Sequence, residues 1–403
     1  LKQFEFGKWL AVRIGSFVLV ALVCFLLDRL MQGDNKSYGR FLFSLAGIYV
    51  TLAVSLNLIN GITGQFSIGH AAFYQIGAYS CAVLAAHKFS NLAATHPYAW
   101  LVLSALFGAI GAGLAGFIVG LPSLRLRGDY LAVVTLGIGE IVTIIVKNQP
   151  ALGEAYGLSV PKIESVFFIS MLAITCIAVS RNLLKTAHGL SFLAVREDEI
   201  ASSAMGVNLT KIKVTAFVIG SCFAGAAGAL YAHTKAFVSP PDFSMDVSFQ
   251  ILTMVVLGGT GSITGTTIAA IVLFVIPEKM RDLPYVMMGT PIGVAFGIVA
   301  AVYLLKKVQD RFHGAGSKRL ALNLGSFGIG AVVAFIMAKL LVMIPALQGM
   351  INGALFRMPV LAVTLVVLML LRPQGIFAHH EFSWTWVKKL LGRKGGPENE
   401  VAA

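Results

Sequence analysis

The sequence is poor in charge. Of its 403 residues only 12% are Asp, Glu, Lys or Arg, and Asp plus Glu number 18. Soluble domains carry about 25% charged residues, so the composition excludes a free-standing soluble domain and points to the bilayer. Cysteine is also scarce. Cys24, Cys81, Cys176 and Cys222 all sit in apolar segments without metal-type spacing, and such cysteines act as small hydrophobes, so no redox or metal role is inferred. There is no Gly-x-x-x-x-Gly-Lys-Ser/Thr phosphate loop, so ATP hydrolysis would have to come from another chain. No Ser/His/Asp or metal constellation has persuasive spacing, and His379-His380-Glu381 lacks a third ligand cluster. The reading is a non-enzymatic chain with no cofactor and no metal.

What is abundant is apolar sequence, at 57% of residues. About 20 such residues span a hydrocarbon core. Candidate spans are Trp9–Leu27, Phe41–Ile59, Ala71–Ala86, Tyr98–Leu121, Tyr130–Val146, Val166–Val179, Val214–His233, the pair Phe249–Leu257 and Ile263–Ile276, Pro284–Leu305, Leu324–Ile344 and Leu355–Leu371. That makes an all-α polytopic membrane protein with about eleven hydrophobic segments, the broken pairs being the least certain crossings. Trp9–Leu27 is too long, and lacks the cleavage site, for a signal peptide. The net charge is +13, but the basic residues cluster between apolar segments. A nucleic-acid protein would instead carry them on one face of a polar fold. With the N-terminus inside, the N-terminal segment, Arg125–Arg127, Arg181–Lys213, Lys306–Arg319 and the tail from Phe377 all fall inside, as the positive-inside bias requires.

Two stretches interrupt this pattern. Gly61-Ile62-Thr63-Gly64-Gln65-Phe66-Ser67-Ile68-Gly69-His70-Ala71-Ala72 cuts one hydrophobic segment, and Gly258-Gly259-Thr260-Gly261-Ser262-Ile263-Thr264-Gly265 cuts another. Both carry Gly-x-Thr-Gly, then polar residues, then Ala-Ala. Gly-interrupted segments in corresponding places of two halves mark transport pathways; the alternative is a pair of tightly packed hairpins. On the first reading Asn57, Gln65, Ser67, His70, Thr260, Ser262 and Thr264 line the path. Glu140, in the middle of a span, costs roughly 2.5–3.5 kcal/mol on insertion scales. It is either a pathway carboxylate or a packed hydrogen bonder. His70 reads as a packing hydrogen bonder rather than a metal ligand.

Arg181–Lys213 is the longest polar connection. Its centre, Leu193–Gly206, reads as one short amphipathic helix. Glu197, Asp198 and Glu199 lie in the first turn, where acids suit the helix dipole. Val195, Ile200, Ala204 and Met205 form one apolar face, and Gly206 stands where it caps the C-terminus. Either the helix lies on its own protein, or it docks a soluble partner.

Leu56–Phe73 closely resembles the signature of LivM-type permeases, membrane subunits of ABC importers for branched-chain amino acids. So do Leu126-Arg127-Gly128-Asp129-Tyr130, Ala194–Gly206, Val256–Ser262 and Leu371-Arg372-Pro373-Gln374-Gly375. The resemblance runs from about Phe41 to Ile276 and resumes near Leu355; residues 277–354 are extra length, with two inserted hydrophobic segments. It implies an importer half in a bacterial inner membrane, both termini cytoplasmic. Its partners would be a second related permease, two cytoplasmic ATPases and an extracytoplasmic binding protein. Val195, Arg196, Glu197, Asp198, Glu199, Ile200, Ala204, Met205 and Gly206 then belong to the loop that docks an ATPase. The division expected is 1–180 for the first half of the membrane domain, 181–213 for the coupling loop and 214–276 for the core of the second half. Residues 277–354 are the insertion, 355–376 the final span and 377–403 the tail. A urea or short-amide importer is the near alternative; a stand-alone secondary carrier and a membrane-bound enzyme lie further off.

Overall fold

The computed structural model describes residues 18–31, 37–87, 93, 95–123 and 129–281, with positions 15, 329, 332, 333, 336 and 366. The segments expected at Pro284–Leu305, Leu324–Ile344 and Leu355–Leu371, and the basic turn Arg125–Arg127, therefore lie outside the described residues apart from those isolated positions. The chain divides into two units, 1–252 and 253–403.

The described residues are mostly helical. In order they form α1 (residues 18–30), α2 (Ser37–Asn57), α3 (His70–His87), α4 (Pro97–Ser123), α5 (Asp129–Asn148), α6 (Val166–Leu184), α7 (Ala187–Glu197), α8 (Glu199–Ala204), α9 (Leu209–Lys235), α10 (Met245–Gly258) and α11 (Ile263–Arg281). Among the described residues five helices are long and apolar enough to cross a membrane: Ser37–Ile62, Pro97–Leu121, Tyr130–Asn148, Val166–Leu184 and Leu209–Lys235. Helix α3 falls short of these because Tyr74, Gln75 and Tyr79 interrupt it, yet all three are buried within the first unit.

In that unit α9 packs against α3 and α4 through small residues. A Cβ added to Gly225 would lie 2.2 Å from the carbonyl oxygen of Gly108, and one on Gly77 would lie 2.1 Å from that of Gly225. One on Gly228 would meet the Tyr74 carbonyl at 2.1 Å. Backbone therefore lies on backbone. In lipid, where water does not drive helices together, this close approach supplies the dispersion contact that replaces the hydrophobic effect. At one end of the unit Asp28 ties three helices together. Its carboxylate accepts the Val166 amide at 2.9 Å at the start of α6 and lies 3.7 Å from Arg40 of α2, which donates to the Glu164 carbonyl at 2.5 Å.

Three expectations are corrected. The connection expected at Arg181–Lys213 is shorter, because α6 runs on to Leu184 and α9 starts at Leu209, where Asn208 accepts the Lys211 amide at 3.0 Å. Its centre is two helices rather than one: Asp198 is extended (φ −154°, ψ 112°) and accepts the amides of Ile200 and Ala201 at 2.8 and 3.0 Å. An N-cap takes the chain out of helical geometry for one residue, and that divides α7 from α8. The fold is also not purely α. Leu158–Ser159 pairs antiparallel with Phe237–Val238, Leu158 opposite Val238, joining the connection between α5 and α6 to that between α9 and α10.

The glycine contacts make a sharp expectation. Gly225→Val should overpack the α3–α4–α9 junction, costing about 1–3 kcal/mol or more, and lower the thermal midpoint of the detergent-solubilised protein. Gly137→Ala, where an added Cβ meets nothing within 4 Å, should leave that midpoint unchanged or slightly raised.

Candidate functional site

Helix α2 does not stop at Asn57. It widens into a π-helical turn, Leu58–Ile62, before the chain becomes irregular over 63–69 and re-enters helix at His70. Side chains of the break itself pair much of its backbone. Asn60 donates to the Ser67 carbonyl at 3.0 Å and accepts the Ser67 amide at 3.2 Å. Thr63 donates its hydroxyl to the Ile59 carbonyl at 2.7 Å, and the Gln65 amide bonds the same carbonyl at 3.2 Å. Neighbouring helices close the rest: Thr135 of α5 accepts the Ile68 amide at 3.1 Å, and Ser248 of α10 accepts the Ala71 amide at 3.2 Å. Gly64 turns the chain at φ +71°, a conformation L side chains rarely adopt.

The path residues expected from the sequence meet here in part. Asn57, Gln65, Ser67 and His70 are all buried, and His70 shares a 2.8 Å hydrogen bond with Ser55 of α2. They pack inside protein, as irregular backbone at membrane depth must unless it faces a water-filled cavity. Several of their polar atoms nonetheless lack a hydrogen-bond partner among the described residues: Gln65 Oε1, Ser67 Oγ and His70 Nδ1. Glu140 stands on α5, half-buried, at a small cleft whose walls include Gly69, Ala72, Phe243, Met245 and Ser248. Gly69 is needed there, since an added Cβ would lie 2.1 Å from the Thr135 carbonyl.

Thr260, Ser262 and Thr264 belong to the second unit, whose break has a different construction. It is a tight turn with Gly259 at φ +108° and Gly261 at φ +95°. Ser262, buried, accepts the Gly265 amide at 3.1 Å and so starts α11, while Thr264 is half-buried. The repeated Gly-x-Thr-Gly therefore serves a long internal loop in one case and a short capped turn in the other.

The residues expected on one docking face divide. Val195 is 1% exposed, in a core cluster with Leu58, Ile62, Phe192, Ile212 and Ala216. Ile200 and Met205 are 70% and 84% exposed, and Ala204 is exposed beside them. Gly206 (φ +84°) ends α8: its amide bonds the Ser203 carbonyl and the Val207 amide bonds that of Ser202, each at 3.0 Å. Arg196, expected in the docking loop, turns in and donates to the Gly61 carbonyl at 3.3 Å, while Glu197 braces it at 2.6 Å. Glu199 pairs with Lys213 at 2.5 Å. Lys213, Thr135 and Ser248 were missed in the sequence. A lysine inside the first turns of an apolar helix was the available signal for Lys213; Thr135 and Ser248 look like ordinary helix residues. Among the described residues no group of three His, Cys, Asp or Glu side chains converges as a metal site.

Replacing Asp198 by Ala should free the start of α8 at a cost of about 1 kcal/mol. Amide exchange over residues 200–204 should then quicken about fivefold, with α9 unaffected.

Residues 40–302 match the family described as branched-chain amino acid transport system / permease component. The chain is 37% identical over 271 residues to the high-affinity branched-chain amino acid transport system permease protein LivM of Salmonella typhimurium, covering 58% of this chain and 62% of that one. It is 27% identical over 297 residues to the probable LivM of Methanocaldococcus jannaschii (64% and 86%). To the permease protein LivH of Salmonella typhimurium it is 26% identical over 264 residues (57% and 80%). The match thus spans less than two thirds of the first of these relatives. No solved structure matches the chain.

Proposed function

We infer the work of this chain from the family to which it belongs, the permease components of branched-chain amino acid transport systems: it is a membrane subunit of an ATP-driven importer for branched-chain or other hydrophobic amino acids. The observation that carries the reading is the packing of the first break against α7 and the start of α9 in one cluster of Leu58, Ile62, Phe192, Val195, Ile212 and Ala216. An importer driven by a separate ATPase needs such a connection between its docking surface and its path.

In this reading the chain crosses a bacterial inner membrane in about eleven segments with both termini cytoplasmic. The coupling segment lies between the end of α6 at Leu184 and the start of α9 at Leu209, and further divisions fall at 276, 354 and 376 as the sequence pattern suggests. Asn57, Gln65, Ser67, His70 and Glu140 line the path in the first unit, and Thr260, Ser262 and Thr264 are the path residues of the second. The unpartnered polar atoms of Gln65, Ser67 and His70 support this, because buried polar groups without partners are costly unless a ligand or water meets them in another state. Glu140 offers a carboxylate to a substrate ammonium group. Similarity to proteins named LivM and LivH alike supports pairing with a second, related permease. Ile200, Ala204 and Met205 are the surface that meets an ATPase, Asp198 and Gly206 hold that helix at its two ends, and two such ATPases and a binding protein complete the assembly.

Two measurements test this. Proteoliposomes containing the chain with its copurifying partners should take up leucine only with ATP. Uptake by the chain alone on an ion gradient would show a secondary carrier and overturn the reading. Replacing Ile200 and Met205 together by Asp should detach the ATPases, since loss of an interface anchor costs about 2 kcal/mol or more. The thermal midpoint of the permease should hold.

A further inference from the structure

Arg196 and Lys213 meet the first break by two routes, one through a side chain and one through a backbone carbonyl. Arg196, on α7, donates to the Gly61 carbonyl at 3.3 Å, and its side chain lies against Gly64: a Cβ there would sit 3.1 Å from Arg196 Cγ and 3.4 Å from its Cα. Gly64 thus combines a left-handed turn with the space that Arg196 occupies. On the second route Gln65 donates to the Lys213 carbonyl at 3.5 Å, and the Lys213 ammonium, in a residue only 4% exposed, pairs with Glu199 of α8 at 2.5 Å. The Arg196 guanidinium therefore joins α7 to the break directly, whereas the Lys213 ammonium joins α8 to α9 and it is the Lys213 backbone carbonyl that accepts from Gln65 of the break. Charge-assisted hydrogen bonds are about twice as strong as neutral ones.

We propose that Arg196 and Lys213 are positioning residues that lock the first break to the α7–α8 pair, so that displacement of the pair is passed to Gly61–Gln65. The displacement itself rests on the importer reading; the lock does not. Side chains bound for a partner's surface would extend outward, as Ile200 and Met205 do. Arg196 turns inward onto the Gly61 carbonyl, and the buried Lys213 ammonium turns to Glu199. Loss of the lock would free the irregular segment without disturbing the α3–α4–α9 junction, which is built of other residues.

The test places a reporter, Ser67→Cys, in the full chain. Its labelling by a small water-soluble maleimide is measured in membranes against the chain without the reporter. Adding Arg196→Gln and Lys213→Met should speed labelling about tenfold or more, the effect of losing bonds to charged groups, with the thermal midpoint nearly unchanged. In the assembled transporter the same pair should leave ATPase copurification intact and lower uptake per ATP hydrolysed. An unchanged labelling rate would overturn the proposal, and so would loss of the ATPases from Arg196→Gln alone, which would make Arg196 a docking residue. If the double variant unfolds, Arg196→Gln alone decides: faster labelling is expected and an unchanged rate overturns the lock. If no ATPase copurifies even with the wild-type chain, the importer reading fails while the labelling result still decides the lock.

Discussion

The Asn60 side chain bonds both the carbonyl and the amide of Ser67 across the first break, and the rest of the site depends on that pair of bonds. A chain that leaves helical geometry inside an apolar bundle exposes amides and carbonyls that lipid cannot satisfy. Here a π-turn, Leu58–Ile62, begins the departure, Asn60 spans it, and Thr135 and Ser248 take amides at its far side. The segment is held by single hydrogen bonds from separate elements, not by a helical ladder. Each can be given up without unwinding a helix.

Around it the first unit is rigid by contrast. Gly77, Gly108, Gly225 and Gly228 bring three helices into backbone contact, and close-packed interiors transmit displacement rather than absorb it. The polar ties at Asp28, Arg40 and Glu164 brace one end of the unit. The other tie, through Arg196, Glu199 and Lys213, joins the break to the two short helices. On the proposed coupling, a close-packed frame with one singly bonded segment would direct movement at α7–α8 to that segment.

Much of this was legible in the residues. Long apolar runs announced the helices from Phe41 to His233, and the two Gly-x-Thr-Gly stretches announced the breaks, because glycine and polar residues are expensive in a span unless they serve one. Gly206 as a helix end followed from its position after an apolar turn. The division of α7 from α8 did not, because Asp198 suits a first helical turn as well as an N-cap, and pattern alone does not choose between them. The inward turn of Arg196 was equally hidden: an arginine beside three acids reads as surface until the Gly61 carbonyl is known to lie beneath it. The different fates of the two repeats also lie beyond pattern, since the same four residues precede a long loop in one place and a Ser262 cap in the other.

Amide hydrogen exchange over residues 58–69 in the assembled transporter, with and without ATP, bears most directly on the first break as the moving part of an ATP-driven path. Protection of these amides should change with nucleotide while residues 74–81 and 221–230, in the α3–α9 contact, stay equally protected in both conditions. Identical protection of 58–69 with and without ATP, in a preparation that is transporting, would contradict it.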